Sequence, residues 1–213
     1  MKVFLSYSHS DRKLAGEIKC GLEDYGLRVF MAHEDIKPSK EWADTILTEL
    51  AACYVFIPIL TEEFSKSVWT NQEIGHAIAQ NKLIVPLKVT VDPPGFISRF
   101  QAHKIEINKI AASCEIVTKV IAADSQVGNL FKDALIAKFR ESGSYNEAAH
   151  NTELLVSFKR YTIAQVTNII NHTIENREIN DSYKARNMLR DFIYRYGKSI
   201  DSELLESFHR AIK

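Results

Sequence analysis

Short apolar runs recur along the first half of the chain, and stretches with helical spacing separate them. The runs are apolar on both faces, which is typical of parallel strands that helices cover on two sides. In the first intervening stretch, apolar residues recur every three or four positions from Leu14 to Tyr25, and Gly26 ends the predicted helix. The pattern predicts five strands, at residues 3–6, 28–31, 54–60, 83–89 and 104–107.

Alternation of strands and helices predicts the architecture of this region. Parallel strands need a crossover connection, which is usually a helix, so the sheet should have helices on both faces. We therefore predict an α/β fold with a flavodoxin-like, five-stranded parallel sheet over residues 1–141. Its last part, residues 110–141, is predicted to be helical.

A small helical region is predicted at the carboxyl terminus. The segment Ser142-Gly143-Ser144 is the best candidate boundary, and residues 145–213 follow it. Apolar stripes predict three amphipathic helices there, around residues 154–169, 189–196 and 200–212. Because so short a region cannot bury a large core alone, we expect it to dock on the sheet domain, on a partner or on a second copy. We expect it to be an oligomerisation or regulatory element.

The balance of charge and the short first apolar run limit the partners and the location that the sequence supports. Twenty-seven basic residues balance twenty-seven acidic ones in the 213-residue chain, so the composition gives no support to a nucleic acid or an acidic membrane as partner. The first residues turn polar after Leu5, too early for a secretory apolar core. We therefore expect a cytoplasmic protein with free thiols at Cys20, Cys53 and Cys114.

Several common site motifs are missing from the sequence. Neither GxGxxG nor GxxxxGK(S/T) occurs, so side chains and the loop after the first strand would have to hold any nucleotide. HExxH is missing as well, and Glu73 with His76 would form only half of a carboxylate-bridged metal site. We therefore expect no metal site and no resident cofactor.

Residues 61–82 lie between two predicted strands and contain the candidate site. Trp69 and Glu73 are four positions apart, so a helix would place an aromatic plane one turn from a carboxylate. Two helix starts fit the local sequence. Thr70 and Glu73 have the spacing of a capping box, in which the carboxylate bonds back to the Thr70 amide, whereas Ser67 as N-cap would leave Glu73 in the second turn.

Four segments of the chain, in order, carry a resemblance to a known family. They are VFLSYS at residues 3–8 followed by Asp11, GLRVF at 26–30, IKPSKEW at 36–42 and SVWTNQE at 67–73. With the apolar strand that follows, they resemble the successive boxes of the Toll/interleukin-1 receptor (TIR) domain in its bacterial or archaeal form. The resemblance covers about residues 1–140 and implies the flavodoxin-like fold that the hydrophobic pattern also predicts.

The resemblance also implies an activity. Many TIR domains cleave NAD+ between nicotinamide and ribose, and the glutamate of their W-x-x-x-E motif is catalytic. At that position this chain has Glu73, so NAD+ would be a substrate rather than a cofactor. The substrate-binding residues that the resemblance implies are Tyr7, Ser8, His9, Asp35, Trp42 and Trp69.

Two departures from the family pattern concern the loops. Pro38-Ser39 stands where many relatives have glycine, and Ser8-His9 stands where an arginine is common.

The resemblance also implies a biological setting, which is prokaryotic immune signalling in antiviral defence. It implies self-association through other TIR domains and a downstream effector that senses ADP-ribose or a cyclic isomer. The alternatives are a non-catalytic TIR adaptor that acts by self-association and a module that binds a nucleotide without cleaving it.

Overall fold

The computed structural model describes residues 1–31 and 42–213. The chain forms two compact units, Met1–Val127 and Gly128–Lys213. The boundary along the chain, after Val127, therefore falls within the segment that the sequence assigns to the first domain, whereas the division into domains 1–141 and 145–213 stays a prediction. Each unit is described by itself below.

The first unit is built on a parallel sheet. All described pairings are parallel, so the predicted five-stranded sheet of the α/β fold class is confirmed. The strands are β1 Lys2–Ser6, β2 Arg28–Met31, β3 Val55–Leu60, β4 Leu83–Ile84, β5 Leu87–Lys88 and β6 His103–Lys104. Their order in the sheet is β2-β1-β3-β5-β6, and β4 also pairs with β3.

Two predicted strands differ from the observed ones. The run at residues 83–89 is divided into β4 and β5, which both pair with β3, and Pro86 between them has no N–H for a strand ladder. The strand predicted at residues 104–107 is β6, which begins earlier and ends at Lys104. The carbonyl of Glu106 then accepts a hydrogen bond from the Lys109 amide at 2.7 Å, which turns the chain into a 3₁₀-helix.

Both faces of the sheet are covered. Phe4 and Phe56 lie in one cluster with Ile46 and Ile74, which come from two different helices. The alternate strand residues, such as Leu5, are also fully buried. Because consecutive strand residues point to opposite faces, the sheet is enclosed on two sides. The helices of this unit are α1 Arg12–Glu23, α2 Trp42–Ala52, α3 Glu62–Lys66, α4 Val68–Ala79 and α5 Ile110–Ala123.

The second unit is helical and has a core of its own. Its fully buried aromatic residues include Phe131, Phe139, Phe192 and Phe208. It contains α6 Gly128–Arg140, α7 Tyr145–Ser157, α8 Ile163–Glu175, α9 Arg177–Asn180, α10 Tyr183–Tyr194 and α11 Ser202–Ala211. In the part of the chain that the structure describes, no helix is long and apolar enough to cross a membrane.

The helix predicted around residues 154–169 is wrong, because the structure divides it. α7 ends at Ser157, and Arg160 then has a φ of 60°, in the left-handed region, which a right-handed helix cannot contain. The amine of Lys132 donates a hydrogen bond to the Arg160 carbonyl at 3.0 Å. Thr162 then begins α8 with a capping box completed by Gln165.

Close packing between α1 and α5 generates a testable contrast between two glycines of α1. A Cβ at Gly21 would lie 2.7 Å from Sγ of the buried Cys114, whereas a Cβ at Gly16 would meet nothing within 4 Å. We expect Gly21→Ala to lower the free energy of unfolding by about 1–3 kcal/mol through overpacking. Gly16→Ala, the matched control, should raise it by about 0.5–1 kcal/mol through helix propensity.

Urea unfolding followed by circular dichroism measures both variants. Equal stability of the two variants would contradict the close approach at Gly21. The double variant Gly21→Ala/Cys114→Ala should recover part of the loss, because it removes the sulfur atom from the contact.

Candidate active site

The candidate site lies at the carboxyl edge of the parallel sheet, by which we mean the side where the C-terminal ends of the strands lie. β1 ends there at Ser6 and β3 ends at Leu60, next to each other in the sheet order. Ser6 shares the sheet face of Phe4, which packs in the same cluster as residues of α2 and α4. Loops and helix starts beyond strand ends are where open α/β sheets place their binding sites.

The start of α4 decides which role is open to Glu73. Ser67 is the N-cap, and its side chain accepts a hydrogen bond from the Thr70 amide. Thr70 is already helical, and its hydroxyl donates to the Phe64 carbonyl at 2.6 Å. The capping box of Thr70 with Glu73 is therefore wrong, and Glu73 lies in the second turn with its carboxylate not engaged in capping.

Glu73 is a buried acid that contacts the side chain of Ser6. Its side chain is 6% exposed, and its carboxylate accepts a hydrogen bond from Oγ of Ser6, which is 1% exposed. Among the described residues, no cation forms an ion pair with it. Burial raises the pKa of Glu73 to about 7 because it removes water from the charged form, and the Ser6 hydrogen bond opposes that rise.

Two tryptophans form an aromatic pair beside this acid. The rings of Trp42 and Trp69 meet edge to face, with centroids 4.5 Å apart and an interplanar angle of 80°. Trp69 precedes Glu73 by one turn of α4 and is 42% exposed. Trp42 is the first residue of α2, so the tertiary structure brings two predicted binding residues into contact.

The other predicted binding residues have different surroundings. Tyr7 is buried at 2% exposure, whereas His9 is exposed. Oγ of Ser8 lies 3.1 Å from Oγ of Ser10. Glu73 has its hydrogen bond to Ser6 and to none of these three residues. Asp35 lies outside the described residues, and the assignment of these residues to substrate binding stays a prediction.

Sequence reasoning missed three residues that organise this edge. Besides Ser6, these are Asp11 and Thr61, whose carboxylate and hydroxyl form a hydrogen bond of 2.6 Å. The same hydroxyl accepts from the Phe64 amide and caps α3. Thr61 before two glutamates is a recognisable N-cap signal, but its bond to Asp11 joins residues 50 positions apart. It ties the loop after β1 to the start of α3.

A cavity of about 560 Å³ lies at the other end of the sheet. Its lining includes Cys53, Tyr54 and Leu83, which precede or begin strands β3 and β4. It is therefore separate from the Glu73 edge. Within residues 1–31 and 42–213, no three His, Cys, Asp or Glu side chains are grouped to hold a metal ion.

The family of this chain follows from comparison with known sequences. The family model of the TIR domain matches residues 3–113, which is more than half of the chain. The chain therefore belongs to the TIR domain family, and the match includes Ser6, Trp42, Trp69 and Glu73. No curated protein matches it.

The solved structures that resemble the chain include two TIR domain structures and an N-glycosidase. The TIR domain of the Toll-related receptor TRR-2 from Hydra magnipapillata is 18% identical, with 62% of this chain and 96% of that chain covered and a TM-score of 0.45. The CMP N-glycosidase BcmB of Clostridium botulinum is 21% identical, with 55% and 98% covered and a TM-score of 0.40. The TIR domains of the activated Roq1 resistosome are 20% identical, with 73% and 98% covered and a TM-score of 0.41.

The buried carboxylate predicts a pH-dependent stability. In the unfolded chain Glu73 has its ordinary pKa of 4.5, and in the folded chain its pKa is about 7, so the folded state binds more protons between these values. The protein should therefore lose stability as the pH rises through this window, by roughly 2–4 kcal/mol in total. Glu73→Gln removes the charge, so its stability relative to the unaltered chain should increase between pH 5 and pH 8.

Urea unfolding at several pH values measures this difference. Glu17→Gln serves as the control because Glu17 is an exposed acid on α1. A difference between Glu73→Gln and the unaltered chain that stays constant with pH would contradict a raised pKa.

Proposed function

We propose that the chain is an NAD+ nucleosidase, which cleaves the nicotinamide–ribose bond of NAD+ to give nicotinamide and ADP-ribose or a cyclic ADP-ribose isomer. The observation that carries the proposal is the Glu73 carboxylate, buried at the carboxyl edge of the sheet without a capping role or an ion pair among the described residues. Burying an ionisable acid in this way costs stability, and such groups concentrate at functional sites.

The chemistry of NAD+ suits a single carboxylate. Nicotinamide is cationic while it is bound to ribose and leaves as a neutral ring that takes the electron pair of the C–N bond, so no general acid is needed. The remaining ribosyl cation has oxocarbenium character, which a nearby buried anion stabilises strongly. Water then adds to the anomeric carbon and loses a proton, giving ADP-ribose, whereas attack by a nitrogen of the adenine gives a cyclic isomer.

The aromatic pair supplies the second part of the proposed site. Trp69 lies one turn from Glu73 and is in contact with Trp42. An electron-rich ring attracts a cation over its face, and flat rings stack on purines, so the pair suits the nicotinamide or the adenine. We propose that the remaining substrate contacts come from Tyr7, Ser8, His9 and Asp35, and that no metal or resident cofactor takes part.

The proposed biological setting comes from the family. We propose that the chain acts in prokaryotic immune signalling, assembles with other TIR domains and produces a nucleotide that a downstream effector senses. Because assembly completes the active site in that reading, an activity assay has to include high protein concentration and a crowding agent that promotes association.

Nicotinamide release from NAD+ tests the proposal directly. We expect release by the concentrated protein and a loss of at least about 100-fold for Glu73→Gln, because the amide carries no charge to stabilise the ribosyl cation. Glu62→Gln is the matched control, since Glu62 is an exposed glutamate on the neighbouring helix α3. It should release nicotinamide at the rate of the unaltered chain.

Chromatography of the second product separates ADP-ribose from a cyclic isomer. Undiminished release by a correctly folded Glu73→Gln variant would reject the catalytic role of this residue. No release by the unaltered chain under any assembly condition would favour the non-catalytic TIR adaptor instead.

The pKa of Glu73 predicts the pH profile of the reaction. The anion is the active form, so kcat/KM should rise about tenfold per pH unit below pH 7 and level off above it. The cationic nicotinamide favours the charged form of a nearby acid, so the profile of kcat should have a lower apparent pKa than that of kcat/KM. Steady-state rates between pH 5 and pH 9 measure both profiles, and a kcat/KM that falls as the pH rises through 7 would contradict the assignment.

A further inference from the structure

Ser6, the last residue of β1, forms a buried hydrogen bond with Glu73. Ser6 is a polar side chain at the end of β1, it follows three buried apolar residues, and only 1% of it is exposed. It lies in register with Pro58 of β3. Its strand, β1, has a neighbouring strand on each side in the sheet. Its hydroxyl donates to the Glu73 carboxylate across 67 positions of sequence. A buried hydroxyl without a partner would be costly, so the two groups satisfy each other.

We propose that Ser6 is a positioning residue for Glu73: the Ser6 hydroxyl favours the charged form of the carboxylate and holds it in the orientation that faces the substrate. This inference rests on the proposed function, because it assigns the catalytic anion to Glu73. A hydroxyl suits this role because it donates to the charged form and accepts from the protonated form, so the contact persists in both. Of the two, the bond to the charged form is the stronger.

Among the described residues, Ser6 is the side chain that donates a hydrogen bond to Glu73. The charged or titratable residues on the helices that pack against α4, and on α4 itself, make no described bond to Glu73: they are Asp44 and Glu49 on α2, Glu62, Glu63 and Lys66 on α3, and His76 on α4. Glu49 instead pairs with Lys2 at 2.6 Å, and Lys66 pairs with Glu63 at 2.8 Å. Burial raises the pKa of Glu73, and the hydrogen bond from Ser6 opposes that rise.

The role differs from structural packing in its effect on pH. If Ser6 favours the anion, Ser6→Ala should raise the pKa of Glu73 by about one unit or more, since a hydrogen bond to a charged group is among the stronger ones. The fraction of anion at pH 7 would then fall about fivefold, and activity would recover at pH 9. Loss of packing alone would lower the activity by the same factor at every pH.

A double-mutant cycle tests the contact without any need for enzymatic activity. The free energies of unfolding of the unaltered chain, Ser6→Ala, Glu73→Gln and the double variant are measured at pH 5.5 and pH 8.5. We expect the coupling between Ser6 and Glu73 to strengthen at the higher pH, by up to the about 1.4 kcal/mol that corresponds to one pKa unit. A coupling that is the same at both pH values would overturn the inference, whatever the activity of the protein.

The pH profile of nicotinamide release is the second readout. Ser6→Ala should raise the apparent pKa of the kcat/KM profile by about one unit. Ser6→Thr keeps the hydroxyl, so its profile should match that of the unaltered chain. Ser113→Ala is the matched control, because Ser113 is a buried serine on α5 that donates to the Lys109 carbonyl. It should leave the profile unshifted.

A third substitution covers a failure of Ser6→Ala to fold. Ser6→Cys keeps a weak donor of similar size and should shift the profile in the same direction by a smaller amount. An unshifted profile for folded Ser6→Ala or Ser6→Cys would overturn the positioning role. If the unaltered chain releases no nicotinamide, the proposed function fails, and the stability cycle alone decides whether Ser6 controls the ionisation of Glu73.

Discussion

The hydrogen bond between Ser6 and Glu73 is the constraint that the carboxyl edge of the sheet has to satisfy. A carboxylate that is 6% exposed needs a polar partner, and the partner is the last residue of a strand inside the sheet. The contact requires that β1 ends at Ser6 and that α4 begins at Ser67, so that Glu73 falls in the second turn. Any shift of either element by one residue would turn the hydroxyl or the carboxylate away.

The elements around this contact hold the same edge together. Thr61 caps α3 and also donates to Asp11, so one hydroxyl fixes the start of a helix and the loop after β1. Thr70 uses its hydroxyl on the Phe64 carbonyl, which connects α4 to the preceding helix. These local bonds set the helix starts, and the helix starts place Trp69 and Glu73 on one face, beside Trp42. The aromatic and acidic parts of the proposed site thus depend on N-capping as much as on the sheet.

The helical unit depends on a different balance. Arg160 adopts the left-handed region, which is unfavourable for a residue with a side chain, and the buried Lys132 binds its carbonyl. Burial lowers the pKa of the Lys132 amine because it disfavours the charged form. The ring of Tyr161, with its centroid 5.7 Å from Nζ, stabilises that charged form. The connection between α7 and α8 is therefore determined by partners on α6, because no local sequence preference would produce it.

The sequence alone determined the fold class, the family and the candidate acid, because these depend on local signals: apolar periodicity, strand and helix alternation, and motifs in order. It left the start of α4 open, since Ser67 and Thr70 are both good N-cap residues. In the structure Ser67 is the N-cap, and the Thr70 hydroxyl donates to the Phe64 carbonyl instead. It also missed Ser6 and Asp11 as partners, and it joined α7 with α8. Only the tertiary structure decided these points, because hydrogen bonds between residues 67 or 50 positions apart leave no local pattern. The burial that raises the pKa of Glu73 likewise exists only once the sheet and helices have packed.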